Sequence, residues 1–287
     1  MNIAYRFRIY PTEEQKILLG KTFGCCRFLY NQMLDDKIRE YEKTKKMLKN
    51  TPAMYKREYP FLKEVDSLAL ANVQLHLEKA YKNFFRDSKI GFPRFKSKHH
   101  SKNSYTTNVV NGNILVESKK IRLPKLKWIA MKKHREPAEG LRLKSVTVSM
   151  EPSGKYFASL LYEGYSCENQ AAGPDYSTAK ILGIDYAMQG MAVFSEKIET
   201  EEAGFFRKNE KRLAREQRKL SRCVRGSHNY ELQKKKVARC HEKIRSQRRD
   251  YLHKLSRRIT DQYDIVAVED IDMKAMSQCL HFGKSVQ

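Results

Sequence analysis

Two carboxylates in this 287-residue chain stand at the ends of short apolar runs. Asp185 follows Ile181-Leu-Gly-Ile, and Glu269 follows Ile265-Val-Ala-Val. Runs of four β-branched or aliphatic residues read as strands. Paired strand-end acids suit metal-dependent phosphodiester hydrolysis. That chemistry takes hard oxygen ligands, fixed by rigid elements, around ions about 4 Å apart. A plainer reading stays open, in which each acid caps its own strand or pairs with a nearby arginine. Gly183, two residues before Asp185, favours the paired site.

The segment between the two acids is the most basic of the chain. Residues 205–258 hold twenty Lys/Arg against five Asp/Glu, a net +15 of the chain's +24. Arg218, Lys219, Arg222 and Arg225 surround a Gly226-Ser227 break; Lys234, Lys235, Lys236, Arg245, Arg248 and Arg249 follow it. A charged helix face is usually only solvated, but here acids are too scarce for i,i+4 pairing. Positive charge at this density repels itself unless an anion neutralises it, so a nucleic-acid backbone is the expected partner. Val237, Ile244 and Tyr251 recur every seven residues, and His241, Arg248 and Leu255 do so offset by four. An antiparallel helical hairpin over 205–260 with one mixed stripe is predicted. A further basic patch, with Arg86, Arg94, Lys96 and Lys98, is interleaved with Phe84, Phe85, Phe92 and Phe95. Such a patch can stack bases and hold phosphates; equally, Phe92 and Phe95 can anchor the loop in the core.

Elements that position these residues follow from patterning. Ile3, Tyr5, Phe7 and Ile9 alternate with Arg6, Arg8 and Tyr10, a strand ended by Pro11. Thr12 and Gln15 form a capping box for a helix carrying Leu18, Leu19, Phe23, Cys26, Leu29, Tyr30, Met33 and Leu34. A second helix over 67–85 lines up Leu70, Val73, Leu77, Ala80, Tyr81 and Phe84. Residues 103–163 switch to short strands, at 114–116, 121–123, 128–131, 145–149 and 156–162. Turns at Asn111-Gly112-Asn113 and Pro152-Ser153-Gly154 separate some of them. Residues 164–179 read as a linker. A strand at 181–186, a Gly190 turn and a strand at 191–195 precede the hairpin.

Composition removes other classes. Hydrophobic residues make up 40% of the chain and charged residues 31%, a globular balance. No apolar run nears the ~20 residues of a membrane span, and Arg6 and Arg8 stand where a signal peptide needs apolar residues. Cys25, Cys26, Cys167, Cys223, Cys240 and Cys279 form no C-x-x-C pair, so neither zinc nor a disulfide framework is expected. Cys25-Cys26 reads as core packing, His99-His100 as a solvated loop, and Cys223 and Cys240 as structural. A cytoplasmic protein close to the nucleoid, without membrane contact, is the expectation.

The motifs FRIYPTEEQ, FGCCRFLYNQ, GFPRFKSK, SYTTN, KSVTVS with PSGKYF, GIDYAMQGMAVFS, LSRCVRGSHN, RSQRRDYLHKLS and VAVEDIDMKAM occur in this order over residues 7–276. In that order the chain resembles the TnpB (OrfB) family of transposon-encoded RNA-guided DNA endonucleases, relatives of the type V CRISPR effectors. The resemblance implies a mixed α+β architecture. A wedge-like antiparallel β-barrel would come from residues 1–11 and 90–165, with a helical recognition module at 12–89 inserted. A linker at 166–179 would lead into a RuvC (RNase H-like) domain at 180–287 that holds the basic hairpin. It implies a guide RNA from the transposon end and double-stranded target DNA as partners. It also implies Asp185 and Glu269 as the first two catalytic, Mg²⁺-binding carboxylates.

Family members continue into a zinc ribbon and a third carboxylate on a helix. Here 18 residues follow Glu269, and only Asp270 and Asp272 are acids among them. The expectation is an incomplete Mg²⁺ site, no zinc, an exposed sheet edge and little or no cleavage. A nuclease-dead guided repressor, and a basic nucleic-acid binder without a guide, are the alternative functions.

Overall fold

The computed structural model describes residues 2–87, 89–98, 101–164, 177–186, 192–198 and 205–271. They divide into two compact units, residues 1–167 and 168–287. Architecture is mixed α+β in both.

In the first unit, β1 (Asn2–Tyr10) alternates as its sequence dictates: Phe7 and Ile9 are buried, while Arg6 and Tyr10 are exposed. It runs along β7 (Tyr156–Glu163) from Asn2↔Glu163 to Ile9↔Tyr156, and along β5 (Lys127–Lys132) from Arg8↔Lys132 to Tyr10↔Ala130. The other strands are β2 (Asn103–Asn108), β3 (Leu115–Val116), β4 (Lys120–Leu123) and β6 (Arg142–Met150). The sheet order is β2-β6-β7-β1-β5-β4-β3, antiparallel throughout. This corrects the expected closed barrel. The described residues form an open seven-stranded sheet whose edges are β2 and β3. With two residues, β3 offers too few backbone groups to ladder against the six of β2.

Between β1 and β2 lie α1 (Glu13–Thr44), α2 (Pro52–Glu58) and α3 (Ser67–Arg86). The capping box forms: Gln15 N donates to Thr12 Oγ1 at 3.3 Å, and Thr12 N donates to Gln15 Oε1 at 3.0 Å. Gln15 Nε2 also donates to the carbonyls of Leu126 and Trp128, which ties the helix start to the β4–β5 turn and β5. One core joins helices and sheet: Leu19, Leu29 and Met33 of α1 and Leu70 and Leu77 of α3 pack with Ile9, Val146 and Leu160. Among the elements that escaped the sequence reading, helix α2 has seven residues and buries Tyr55. Strand β2 has no apolar alternation; Tyr105 and Thr107 are its buried residues, and pairing with β6 makes it a strand.

Asp66 joins helix to sheet. Its Oδ1 accepts from Leu68 N at 3.0 Å as the N-cap of α3, and its Oδ2 accepts from the hydroxyl of fully buried Thr107 at 2.5 Å. Replacing Thr107 by valine keeps the shape but strands a buried carboxylate oxygen, so Thr107→Val should cost about 1–3 kcal/mol. Chemical denaturation measures it, and a midpoint equal to wild type would contradict the linkage.

The second unit is built on β8 (Ile181–Tyr186), β9 (Ala192–Phe194) and β10 (Ile265–Val268), in the order β10-β8-β9. Strand β9 is antiparallel to β8, and β10 is parallel to it. Parallel neighbours need a crossover, supplied here by α4 (Phe205–Ser221) and α5 (His228–Gln262). Gly226, at φ +82, turns the chain between them, and Ser227 caps α5 by accepting from Tyr230 N at 3.1 Å. Leu182 of β8 is buried against Leu255 and Ile259 of α5. The predicted stripe needs one correction. Val237, Ile244, Tyr251 and Leu255 do face inward, but they are joined by Gln233, Cys240 and Ile259, while His241 and Arg248 are exposed. Either flank of the Val237–Ile244–Tyr251 row satisfies the spacing; Leu213 of α4 seals the flank that carries no charge. The 165–176 part of the expected linker, the Gly190 turn, His99-His100, Cys167, Asp272 and Cys279 lie outside the described residues.

Candidate carboxylate pair and nucleic-acid interface

Strand register brings the two acids together. The parallel pairing runs Ile265↔Ile181, Val266↔Leu182, Ala267↔Gly183 and Val268↔Ile184, so the next step sets Glu269 beside Asp185. Period-two alternation sends Leu182 inward and Gly183 and Asp185 to the other face. There a shallow groove is lined by Gly183, Asp185, Val193, Ser195, Ala267 and Glu269. Gly183 N donates to Ser195 Oγ at 2.9 Å, and Ser195 N donates to Gly183 O at 3.0 Å, which extends the β8–β9 pairing beyond Phe194. A Cβ on Gly183 would stand 3.4 Å from Ser195 Cβ, an ordinary contact, so space alone does not require glycine. Ser195 went unnoticed in the sequence because its place opposite Gly183 depends on the hairpin register.

The carboxylates of Asp185 and Glu269 are exposed and hydrogen-bonded to one another. That bond, then the repulsion of the Asp185 charge, pushes the Glu269 carboxyl above the ordinary carboxylate range. Each acid thus has the other as its neighbour, in the manner of a paired site. A shared proton would compensate the paired charge, and a divalent cation would do so with more charge. Two carboxylates, with waters and phosphate oxygens completing the shell, suit Mg²⁺; Asp185 and Glu269 would hold it. No group of three or more His, Cys, Asp or Glu side chains gathers for a metal among the described residues. Asp270 is exposed beside Glu269.

The raised carboxyl has a stability consequence. Glu269 binds its proton more tightly folded than unfolded, so the pair is least unfavourable at acid pH. Stability is lost as pH rises through the ordinary carboxylate value toward the raised one. Glu269→Gln should therefore raise the thermal midpoint at neutral pH and leave it unchanged at pH below the carboxylate range. Thermal scans across pH test this, and a variant less stable than wild type at neutral pH would contradict the pairing.

The basic hairpin is rigidified by its own polar contacts. Gln233 Nε2 reaches across to Glu216, donating to its carbonyl at 3.0 Å and its carboxylate at 2.7 Å, and it holds that carboxyl below the usual range. Asn209 Nδ2 donates to Gln247 Oε1 at 3.2 Å. Leu213, Cys240 and Ile244 pack in the same hairpin. With this seam inward, Arg218, Lys219, Arg222, Arg225, Lys234, Lys235, Lys236, Arg245, Arg248 and Arg249 are all exposed. Cys223 donates to the Lys219 carbonyl.

In the first unit Arg86, Arg94 and Lys98 are exposed. Lys96 alone among the named basic residues is half-buried: its ammonium lies 3.8 Å over the Tyr30 ring, and burial lowers its pKa. Its backbone N donates to Asn31 Oδ1 at 2.8 Å, and Asn31 Nδ2 donates to its carbonyl at 2.9 Å. Cys25 and Cys26 are buried core residues, the Cys26 thiol pushed up to about 12 by desolvation. A basic–aromatic contact the sequence reading did not single out sits on the sheet: the Arg6 guanidinium lies 3.9 Å over the Phe157 ring. Its only signal was the arginine face of β1.

Comparison with known proteins names the class. A family described as "Probable transposase" matches residues 164–280, and a helix-turn-helix domain family matches residues 1–46. Over the latter span this chain forms a strand and one 32-residue helix. Two relatives are 32% identical: "Putative RNA-guided DNA endonuclease InsQ" of Escherichia coli K12, over 96% of this chain, and a "Putative RNA-guided DNA endonuclease" of Streptomyces pristinaespiralis, over 94%. The match covers 67% of each relative. Among solved structures, a Cas12f1–sgRNA–target DNA complex aligns over 99% of this chain and 77% of its own at 12% identity, with a TM-score of 0.31. The chain belongs to the TnpB (OrfB) family of transposon-encoded proteins.

Proposed function

We propose that this chain binds a guide RNA and, under its direction, double-stranded DNA, through a RuvC-like unit whose Asp185–Glu269 pair holds Mg²⁺. One observation carries the reading: a rigid helical hairpin of net charge +15 is inserted between the two strands whose acids stand side by side. The basic hairpin and the carboxylate pair belong to one fold unit, which supports reading them as parts of a single nucleic-acid and metal site. The names of the relatives support RNA guidance and DNA as the target. Target sequence would then be read by base pairing, with the protein holding backbone.

Loaded with guide and Mg²⁺, the chain should bind matched DNA more tightly than unmatched DNA. Equal binding of the two would contradict guidance. Guidance itself is tested by purifying the protein from its host and sequencing the bound RNA: one defined species supports it, and random fragments refute it. Replacing Lys234, Lys235 and Lys236 by glutamine should lower the salt slope of RNA binding by about 2. An unchanged slope would remove the hairpin from the interface.

A further inference from the structure

An aromatic cluster at the end of α3 is exposed where a core would be expected to hide it. Phe85 is 69% exposed, Phe92 44% and Phe95 56%. Phe85 and Phe92 are nonetheless ordered against the rings of α3. Phe85 lies near-parallel to Tyr81 at 6.3 Å, and Phe92 meets Tyr81 and Phe84 edge-on at 5.5 and 5.4 Å. Phe92 thus fastens the loop to α3 by one edge, together with buried Pro93 and the two hydrogen bonds between Asn31 and the Lys96 backbone. The loop is fixed from within, and its aromatic rings are left facing solvent.

Charge selects the occupant. Lys82, Arg86, Lys89, Arg94 and Lys98, each within a few residues of these rings in the sequence, are exposed. The acid within this stretch, Asp87, is engaged in its own turn, accepting from Lys89 N at 2.9 Å. An apolar patch rimmed by cations fits a ligand with flat apolar faces and a negatively charged backbone. Arg86 and Lys89 also complement the α3 C-terminus, but that leaves Arg94, Lys98 and the bare Phe85 ring unexplained.

We propose that Phe85, with Phe92 and Phe95, is a stacking platform for unpaired bases of bound RNA, and that Arg86, Arg94 and Lys98 hold the flanking phosphates. This rests on the guided reading above. The DNA strand displaced by a guide also carries unpaired bases, but it arises only after the RNA is bound, and a platform already formed in the free protein fits the earlier ligand. Lys96 is excluded from the phosphate contacts because its ammonium is spent on Tyr30.

The test uses the full chain and a short unstructured RNA with 2-aminopurine at successive positions. Stacking on Phe85 should quench the probe. Phe85→Leu, which keeps an apolar side chain at an exposed site, should lose the quench and weaken binding about 5- to 100-fold. The same RNA annealed to its complement should bind both proteins alike, since the cations remain. Lys98→Gln should weaken binding and keep the quench. Equal single-strand affinity and equal quench in wild type and Phe85→Leu overturn the platform while leaving guidance intact. A wild type that binds no RNA overturns both. A Phe85→Leu loss seen with single-stranded DNA and not with RNA assigns the surface to a DNA strand and refutes the proposal.

Discussion

The second unit is organised around an unfavourable contact, two like-charged carboxylates held at adjacent strand ends. Parallel pairing of β10 with β8 imposes it, residue by residue from Ile265↔Ile181 to Val268↔Ile184. A shift of one residue would turn Glu269 to the face that packs on α5. The register is held from the opposite side: Leu182 is buried with Leu255 and Ile259, and Asp264 accepts from Lys180 N at 3.0 Å. Hydrophobic burial on one face thus sustains repulsion on the other, which pushes the Glu269 carboxyl above its ordinary range.

The crossover that parallel pairing demands is also the element that carries the charge. A connection needs only to span the distance between β9 and β10, and a dozen residues would suffice. This one spends 17 residues on α4 and 35 on α5. Their seam is thin, with Leu213, Cys240 and Ile244 at its centre and the Gln233–Glu216 and Asn209–Gln247 contacts beside it. A narrow seam leaves most of each helix surface to lysine and arginine. A polyanion would relieve the self-repulsion on that surface.

Much of this was legible in the sequence because it depends on local pattern. Alternation of Phe7 and Ile9 with Arg6 marked β1, Thr12 and Gln15 marked the start of α1, and Gly226-Ser227 marked the hairpin turn. The apolar runs before Asp185 and Glu269 marked their strands. What escaped depends on partners distant in sequence. Strand β2 exists because residues 103–108 lie against β6, and Thr107 finds Asp66. The barrel that the resemblance implied does not close among the described residues, where β2 and the two-residue β3 are the sheet edges. The inward flank of α5 was misassigned because heptad spacing permits either Cys240 or His241, and Leu213 of another helix decides. Lys96 looked like its neighbours until Tyr30 was seen beneath it.

The central claim is that β8–β10 register makes Asp185 and Glu269 one divalent-ion site. Electron paramagnetic resonance of Mn²⁺, titrated into the 287-residue protein at neutral pH, tests it most directly. The account predicts a bound ion whose affinity falls by more than about tenfold in Asp185→Asn and in Glu269→Gln alike. Binding unchanged in both variants would contradict it.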